Sequence, residues 1–318
     1  MQTSAARKQK AALLSILSNG AQVVGKLVVG TMSGSVAVVS EAVHSATDLV
    51  ASVIAYLSVQ ASDTPPDEDH PFGHGKIESI SSLAEAVLIF AAGLYVIYEA
   101  VLKLNANHPA PANVKIAIGV MGFSALSNFF LARHLRRVGL ETDSQALVAD
   151  AHHLNTDVLT SVGVFTGLIL THFTRLPWLD PVTGLVVAGL ILRAGYLLCR
   201  DSILPLMDTR LPVSEEDLIR QVLNDEPRVL GYHKLRTRKS GSQRHVDIHV
   251  QIDDECTLVE AHDFTEELED MIRKVLPALF INIHIEPYQA EMRHQLEAHG
   301  LTPQDINQKL RPQDDSSR

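Results

Sequence analysis

Within its first 200 residues the chain holds six apolar stretches, at roughly 11–32, 36–60, 80–103, 114–133, 146–173 and 179–199. Each approaches the ~20 residues that a helix needs to cross ~30 Å of hydrocarbon. Breaks fall at Asp63-Thr64-Pro65-Pro66, between Asn107 and Pro111, and at Leu176-Pro177. Polar residues interrupt the second and fifth stretches, so hydropathy alone leaves those two ambiguous. After about residue 208 the pattern becomes that of a soluble protein. The sequence therefore predicts an α-helical membrane protein with six transmembrane helices, followed by a small α+β domain of order αββαβ. The expected boundaries are a cytosolic segment 1–10, a membrane domain 11–200, a linker 201–212, a soluble domain 213–288 and a tail 289–318.

Charge sets the orientation. Arg7, Lys8 and Lys10 precede the first stretch, Arg133, Arg136 and Arg137 lie in a loop after the fourth, and Arg200 and Arg210 follow the sixth. The loops of the other side carry Lys103, Lys115 and Arg175. The positive-inside bias then places both termini in the cytoplasm, with the chain multi-pass in the plasma (inner) membrane. A signal peptide also begins with basic residues before an apolar run, but no small-residue cleavage site follows here. The net charge of −10 and the lack of a basic stripe argue against a nucleic-acid partner. The two cysteines, Cys199 and Cys256, form no CxxC, which supports neither a disulfide framework nor a thiolate zinc finger.

In the soluble part, residues 213–225 read as an amphipathic helix capped by Ser214. Residues 229–238 and 244–252 read as strands around Lys239-Ser240-Gly241-Ser242, and RHVDIHVQI alternates cleanly between faces. A second helix over 259–276 and a third strand over 279–286 complete a sheet expected to be antiparallel, with the helices on one face. The polar tail 289–318 is expected to lack fixed structure.

Ionisable residues inside apolar helices are costly and usually functional. The second stretch contains His44 and Asp48, and the fifth His153 and Asp157, both as His-x-x-x-Asp. At 3.6 residues per turn each pair lies on one helix face, one turn apart. Two such faces opposed would offer two imidazoles and two carboxylates, a tetrahedral set suited to Zn²⁺ at ~2.0–2.2 Å from each ligand. Polar packing between helices is the plainer reading of one pair, and the repeated spacing weighs against it. His152 is five residues from Asp157 and points aside, so His153 is the expected ligand. Asp67, His70 and His74 lie close enough in DEDHPFGHGK to chelate one cation, or to be a solvated acidic loop.

The segments SGSVAVVSEAVHSATD, DHPFGHGKIES, ADAHHLNTDV and YHKLRTRKSG resemble the cation diffusion facilitator family of metal transporters, over nearly the whole chain to about Pro287. The resemblance implies six transmembrane helices, a ferredoxin-like cytosolic domain, a homodimer, and export of divalent metal in exchange for protons. It marks His44, Asp48, His153 and Asp157 as the transport site, and Asp67, His70 and His74 as a second, loop-borne metal site. It pairs Lys76 with Asp208 as an ion pair between membrane and cytosolic parts. It places cytosolic ligands at His233, His249, His262 and His284, and at Glu286, where the family commonly has Asp. Some members carry Asp where His44 stands and use a broader set of metals; the His-Asp-His-Asp form resembles the zinc-preferring members. Glu41, one turn before His44, stands where an acidic residue is common, as a supporting group, part of a proton path or a packing residue.

The expected activity is Zn²⁺/H⁺ antiport by alternating access, with metal and protons as substrates and the lipid bilayer as surroundings. The alternative is export of Fe²⁺, Mn²⁺, Co²⁺ or Cd²⁺ by the same route. No GxxxxGK[ST] occurs, so no nucleotide is expected. A membrane metalloenzyme would leave an open metal position and supply a separate base, yet four protein ligands here complete the shell and no HExxH occurs. A metal sensor that does not transport would need no ionisable site inside the membrane.

Overall fold

A computed structural model describes residues 4–33, 36–105, 114–174, 176 and 178–299. The break expected at 107–111, Pro177, the side chains of Glu41, Lys103 and Lys115, and the tail beyond residue 299 lie outside the described residues. The chain divides between Leu206 and Met207 into two units.

The first unit contains six helices: α1 (Ser4–Ser33), α2 (Val36–Ser62), α3 (Lys76–Asn105), α4 (Val114–Thr142), α5 (Gln145–Thr174) and α6 (Leu179–Leu206). Among the described residues, three segments are long and apolar enough to cross a membrane by length and composition: Ser4–Met32, Lys76–Leu102 and Pro181–Leu206. Helices pack most extensively as α1 with α2, α3 with α6 and α4 with α5. At Gly93 a Cβ would lie 2.9 Å from a Leu192 methyl, so α3 and α6 approach where glycine leaves room.

This unit is apolar outside and carries polar and charged groups among the apolar residues of its interior. Leu17, Val24, Tyr95, Phe123 and Val186 are exposed, while Lys8, Asn19, Gln22, Asp48 and Glu78 are buried. In hydrocarbon each buried polar group needs an internal partner, and the described side chains supply many. Asn19 Nδ2 donates to Ser52 Oγ at 2.7 Å, Ser15 Oγ lies 2.9 Å from Ser52 Oγ, and Gln22 Nε2 donates to Asn128 Oδ1 at 2.8 Å. Glu78 ties together four helices: it accepts from Lys8 Nζ at 3.4 Å, Ser62 Oγ at 2.9 Å, Ser144 Oγ at 2.7 Å and the Ala146 amide at 3.3 Å. The last two bonds hold the first turn of α5, where amides have no partner within the helix.

Helices α1, α3, α4 and α6 run past their apolar stretches, because charged residues at membrane edges continue a helix without penalty. Arg133, Arg136 and Arg137, expected in a loop, lie inside α4. There Arg137 Nε bonds Glu141 Oε1 at 2.9 Å, and Arg7 also pairs with Glu141. The connection to α5 is reduced to Asp143 and Ser144, with Asp143 at φ 57°.

The second unit contains α7 (Val213–Asp225), β1 (Gly231–Ser240), β2 (Gln243–Ile252), α8 (Leu258–Val275), β3 (Leu279–Pro287) and α9 (Tyr288–His299). Ile219, Leu223, Ile248, Phe264, Leu268 and Ile272 form its core with apolar residues of the sheet. The sheet order is β1-β2-β3. The pairing of β1 with β2 is antiparallel, but β3 runs parallel to β2, so the sheet is mixed and not antiparallel as expected. The reason is the connection: α8 is a crossover long enough to return the chain to the same end of the sheet.

Two further expectations are corrected. Ser214 does not cap α7; Pro212 does, its carbonyl accepting from the amides of Glu215 and Glu216. The side-chain cap belongs to α8, where Thr257 and Glu260 form a capping box. The start of the tail is also ordered: Asp254 accepts from the amides of Gln289 at 2.7 Å and Ala290 at 3.1 Å, and α9 follows.

Replacing Glu78 by Ala leaves Ser144 and the Ala146 amide at the first turn of α5 without their buried acceptor, while Lys8 keeps its contact with Asp63. The variant is expected to lose about 1–3 kcal/mol, read as a lowered unfolding midpoint by circular dichroism in detergent. An unchanged midpoint would mean that Glu78 does not hold these helices together.

Candidate metal centres

Three clusters of imidazole and carboxylate groups form among the described residues. The first joins α2 and α5 by crossed contacts. His44 Nε2 on α2 lies 3.6 Å from Asp157 Oδ1 on α5, and His153 Nε2 on α5 lies 3.3 Å from Asp48 Oδ1 on α2. Each histidine thus meets the aspartate of the other helix, the arrangement that two opposed i, i+4 faces produce. Ligand atoms of His44, Asp48 and Asp157 all lie within 4.8 Å of one another, and His153 attaches to this group through Asp48. Asp48 is 4% and His153 6% exposed, and Asp157 Oδ2 is buried with no hydrogen bond. An atom so placed, beside two imidazoles and a second carboxylate, fits a divalent cation. His152 lines a separate groove with Gly139, Val148 and Asp201.

The second cluster sits between α2 and α3. The Asp67 carboxylate accepts from the His70 amide at 2.6 Å and lies 3.2 Å from His70 Nδ1 and 3.3 Å from His74 Nε2. Gly73, at φ 76°, turns the chain so that both rings reach the same carboxylate. The bond from the His70 amide holds the Asp67 pKa below its ordinary value, with further help from both rings. Asp67 and His70 are about half exposed.

The third cluster follows from strand register. His233 is paired with His249 across β1 and β2, and His249 with His284 across β2 and β3. The three imidazoles form a row, with ring centroids 5.1 Å and 4.6 Å apart. Glu286 lies beneath it: its oxygens are 2.5 Å from His249 Nδ1, 2.9 Å from His233 Nε2 and 3.7 Å from His284 Nε2. Ligand atoms of His233, His249 and Glu286 meet within 4.8 Å; His284 stands at the exposed rim, and His262, exposed on α8, lies outside the group. Burial lowers the His233 pKa. Burial works to raise that of Glu286, but the bond from His249 and the neighbouring rings prevail and hold it below the usual range. His233 Nε2 and Glu286 Oε2 are buried and, though 2.9 Å apart, are not aligned for a hydrogen bond, so this donor set fits a bound metal. His245 instead stacks on Phe280, with centroids 5.3 Å apart.

The members of the expected ion pair belong to different units. Lys76 opens α3; Asp208 has φ 55° and accepts from Arg238 Nη1 at 3.2 Å.

The sequence profile of the cation efflux transmembrane domain matches residues 12–207, and that of the cation efflux protein cytoplasmic domain matches residues 211–288. An uncharacterised transporter of Synechocystis is 35% identical over 265 residues, covering 83% of this chain and 85% of its own. The cation-efflux pump FieF of Pectobacterium carotovorum is 32% identical over 266 residues, covering 83% and 87%. The manganese efflux system protein MneP of Bacillus subtilis is 27% identical over 290 residues, covering 89% and 97%.

The lowered pKa of His233 keeps its ring neutral, and ready for a metal, at a pH where an ordinary histidine is already protonated. Zinc bound by the cytosolic cluster is therefore expected to persist somewhat below pH ~6.5 and to be weakened by Glu286→Gln. Calorimetric zinc titration of an Asp157→Ala chain at descending pH measures this. Loss of the heat at or above pH ~6.5, or unchanged binding by Glu286→Gln, would assign the metal elsewhere.

Proposed function

The chain belongs to the cation efflux, or cation diffusion facilitator, family of metal transporters, and from that premise we propose that it exports Zn²⁺ from the cytosol in exchange for protons. The observation that carries this reading is the crossed pairing of His44 with Asp157 and His153 with Asp48 inside a helical membrane domain. Two aspartates neutralise the two charges of the ion, which a low-dielectric interior demands. Two imidazoles supply the nitrogen donors that suit zinc. All four are the transport site; Asp67, His70 and His74 form an auxiliary site on the loop, and His233, His249, Glu286 and the rim residue His284 a cytosolic one, with His262 left outside it.

The transport cycle is alternating access. Zn²⁺ reaches the four-ligand site from the cytosol, the helices rock, and the ion leaves on the far side. Protons then compete for the same donors, because metal ligation needs neutral imidazole and ionised carboxylate. All six helices of residues 11–200 span the plasma membrane with both termini cytoplasmic. Residues 201–212 link them to the soluble domain 213–288, through which two chains pair as a homodimer.

A second reading concerns the ion. Imidazole and carboxylate also bind Fe²⁺, Mn²⁺, Co²⁺ and Cd²⁺, and one of the relatives is named for manganese efflux. Affinity order favours zinc over manganese and iron at such a site, and His44 in place of a carboxylate points the same way. His44→Asp makes the site harder and more negative, and is expected to retain flux while admitting Cd²⁺ or Fe²⁺ more equally with Zn²⁺. An unchanged order in competition assays would mean that His44 does not set selectivity.

In vesicles carrying the purified chain, zinc flux and zinc-evoked proton flux are expected to fall together in Asp157→Ala. The loss should exceed the ~10–100-fold that removal of an outer-shell partner causes at metal sites. In His70→Ala both fluxes should persist. Metal movement without proton movement in the loop variant would place the proton route outside the four-ligand site.

A further inference from the structure

Glu78 and Glu85 lie seven residues apart on one face of α3, and both are 0% exposed. Their surroundings differ. Glu78 receives hydrogen bonds from Lys8, Ser62, Ser144 and the Ala146 amide. Neither oxygen of Glu85 has a hydrogen-bond partner. Ala86, next to it on α3, belongs to an apolar cluster with Ile89, Ala149 and Ile191. The charged group whose field reaches Glu85 is a second acid, Asp150 on α5.

Asp150 is also 0% exposed, and its Oδ2 has no hydrogen-bond partner. Its Oδ1 meets Ser52 Oγ of α2 at 3.4 Å, and Ser15 of α1 also reaches the carboxylate. His153 and Asp157 on its own helix are the charged groups that act on it. No lysine or arginine is ion-paired to either acid among the described residues. Ala86 and Ala149, the chain neighbours of the two acids, belong to one apolar cluster, and two carboxyl groups buried at that level with oxygens lacking donors cannot both stay ionised without a cation between or beside them. A helix packing contact would not select acids here, since uncharged side chains would fill the space without that penalty.

We propose that Glu85 and Asp150 form a second cation-binding locus in the helical unit, beside the four-ligand site and taking a proton or a divalent metal ion. Positions 150, 153 and 157 lie on one face of α5, so the locus follows the metal site along the same helix. Ser52 joins it to Ser15 and Asn19, which makes a hydrogen-bonded track along the face of α1. The inference extends the transport reading by adding a cation that the four ligands do not hold.

The test uses the full chain and two variants, Glu85→Gln and Asp150→Asn, which keep side-chain size and remove the charge. Two counts are taken: Zn²⁺ bound per chain at equilibrium, and protons moved per Zn²⁺ in reconstituted vesicles. A locus that holds metal lowers the first count by about one ion per chain. A locus that holds the exchanged proton leaves the first count unchanged and lowers the second by about one. If both counts match the wild type in both folded variants, the locus does not exist. Should the wild type itself move no protons, the antiport reading fails, and the binding count still decides whether the acids hold a metal. Each variant is checked for a wild-type unfolding midpoint, so that if one loses structure the other still decides.

Discussion

A charge buried in an apolar bundle has to be answered by something inside the bundle, and most of the helical unit is arranged around that requirement. Glu78 is answered by Lys8 and by donors from α2 and α5, and so fixes where four helices meet. Asp48 and Asp157 are answered by histidines of the opposite helix. The two solutions have different mechanical consequences. The bonds to Glu78 come from a lysine, two hydroxyls and a backbone amide, none of which is an imidazole or a usual zinc ligand. An imidazole changes charge near neutral pH and gives up its place to a metal. At Glu78 the ends of α2 and α5 are braced, while further along the same two helices meet through His44, Asp48, His153 and Asp157, groups whose charges a proton or a metal changes. A transporter needs both kinds of junction in one bundle.

The three clusters use the same donors and differ in how much water surrounds them. Asp67 is half exposed, so charge on the loop cluster is screened by solvent. Asp48 is almost fully buried, and there a cation is the condition under which two carboxylates can face each other at all. The cytosolic row lies between these limits, with His284 at the rim and Glu286 beneath. A cation held at the cluster of Asp48 and Asp157 would bridge α2 and α5, the coupling that the proposed transport reading requires.

Much of this was legible in the sequence because it rests on local periodicity. His44 and Asp48, and His153 and Asp157, share a face by helix geometry alone, and the alternation of RHVDIHVQI places His249 on a strand. Local pattern does not reach features decided across the chain. The parallel pairing of β3 depends on where α8 delivers it. The α9 helix begins because Asp254, 35 residues away, accepts from Gln289. Ser214 has the chemistry of a cap, but Pro212 starts the helix before it. Arg133, Arg136 and Arg137 read as a loop because charge ends an apolar stretch, whereas a helix continues through charge whenever an acid such as Glu141 lies a turn away. His262 has the residue type of a ligand and the exposure of a surface histidine.

Glu85 shows why composition alone could not separate structural from functional acids. On α3 it repeats the position of Glu78 two turns on, and the sequence offers no sign that one is bonded and the other is not. The difference arises from what α5 presents at each level: its first turn, with a hydroxyl and an amide free to donate, faces Glu78, and its next turn presents Asp150. An amide at a helix start is a fixed donor. A second carboxylate is an acceptor, and two acceptors are reconciled only by a cation. The direction in which α5 enters the bundle therefore turns one glutamate into a brace and leaves the other waiting for a charge, in line with the site formed by His153 and Asp157.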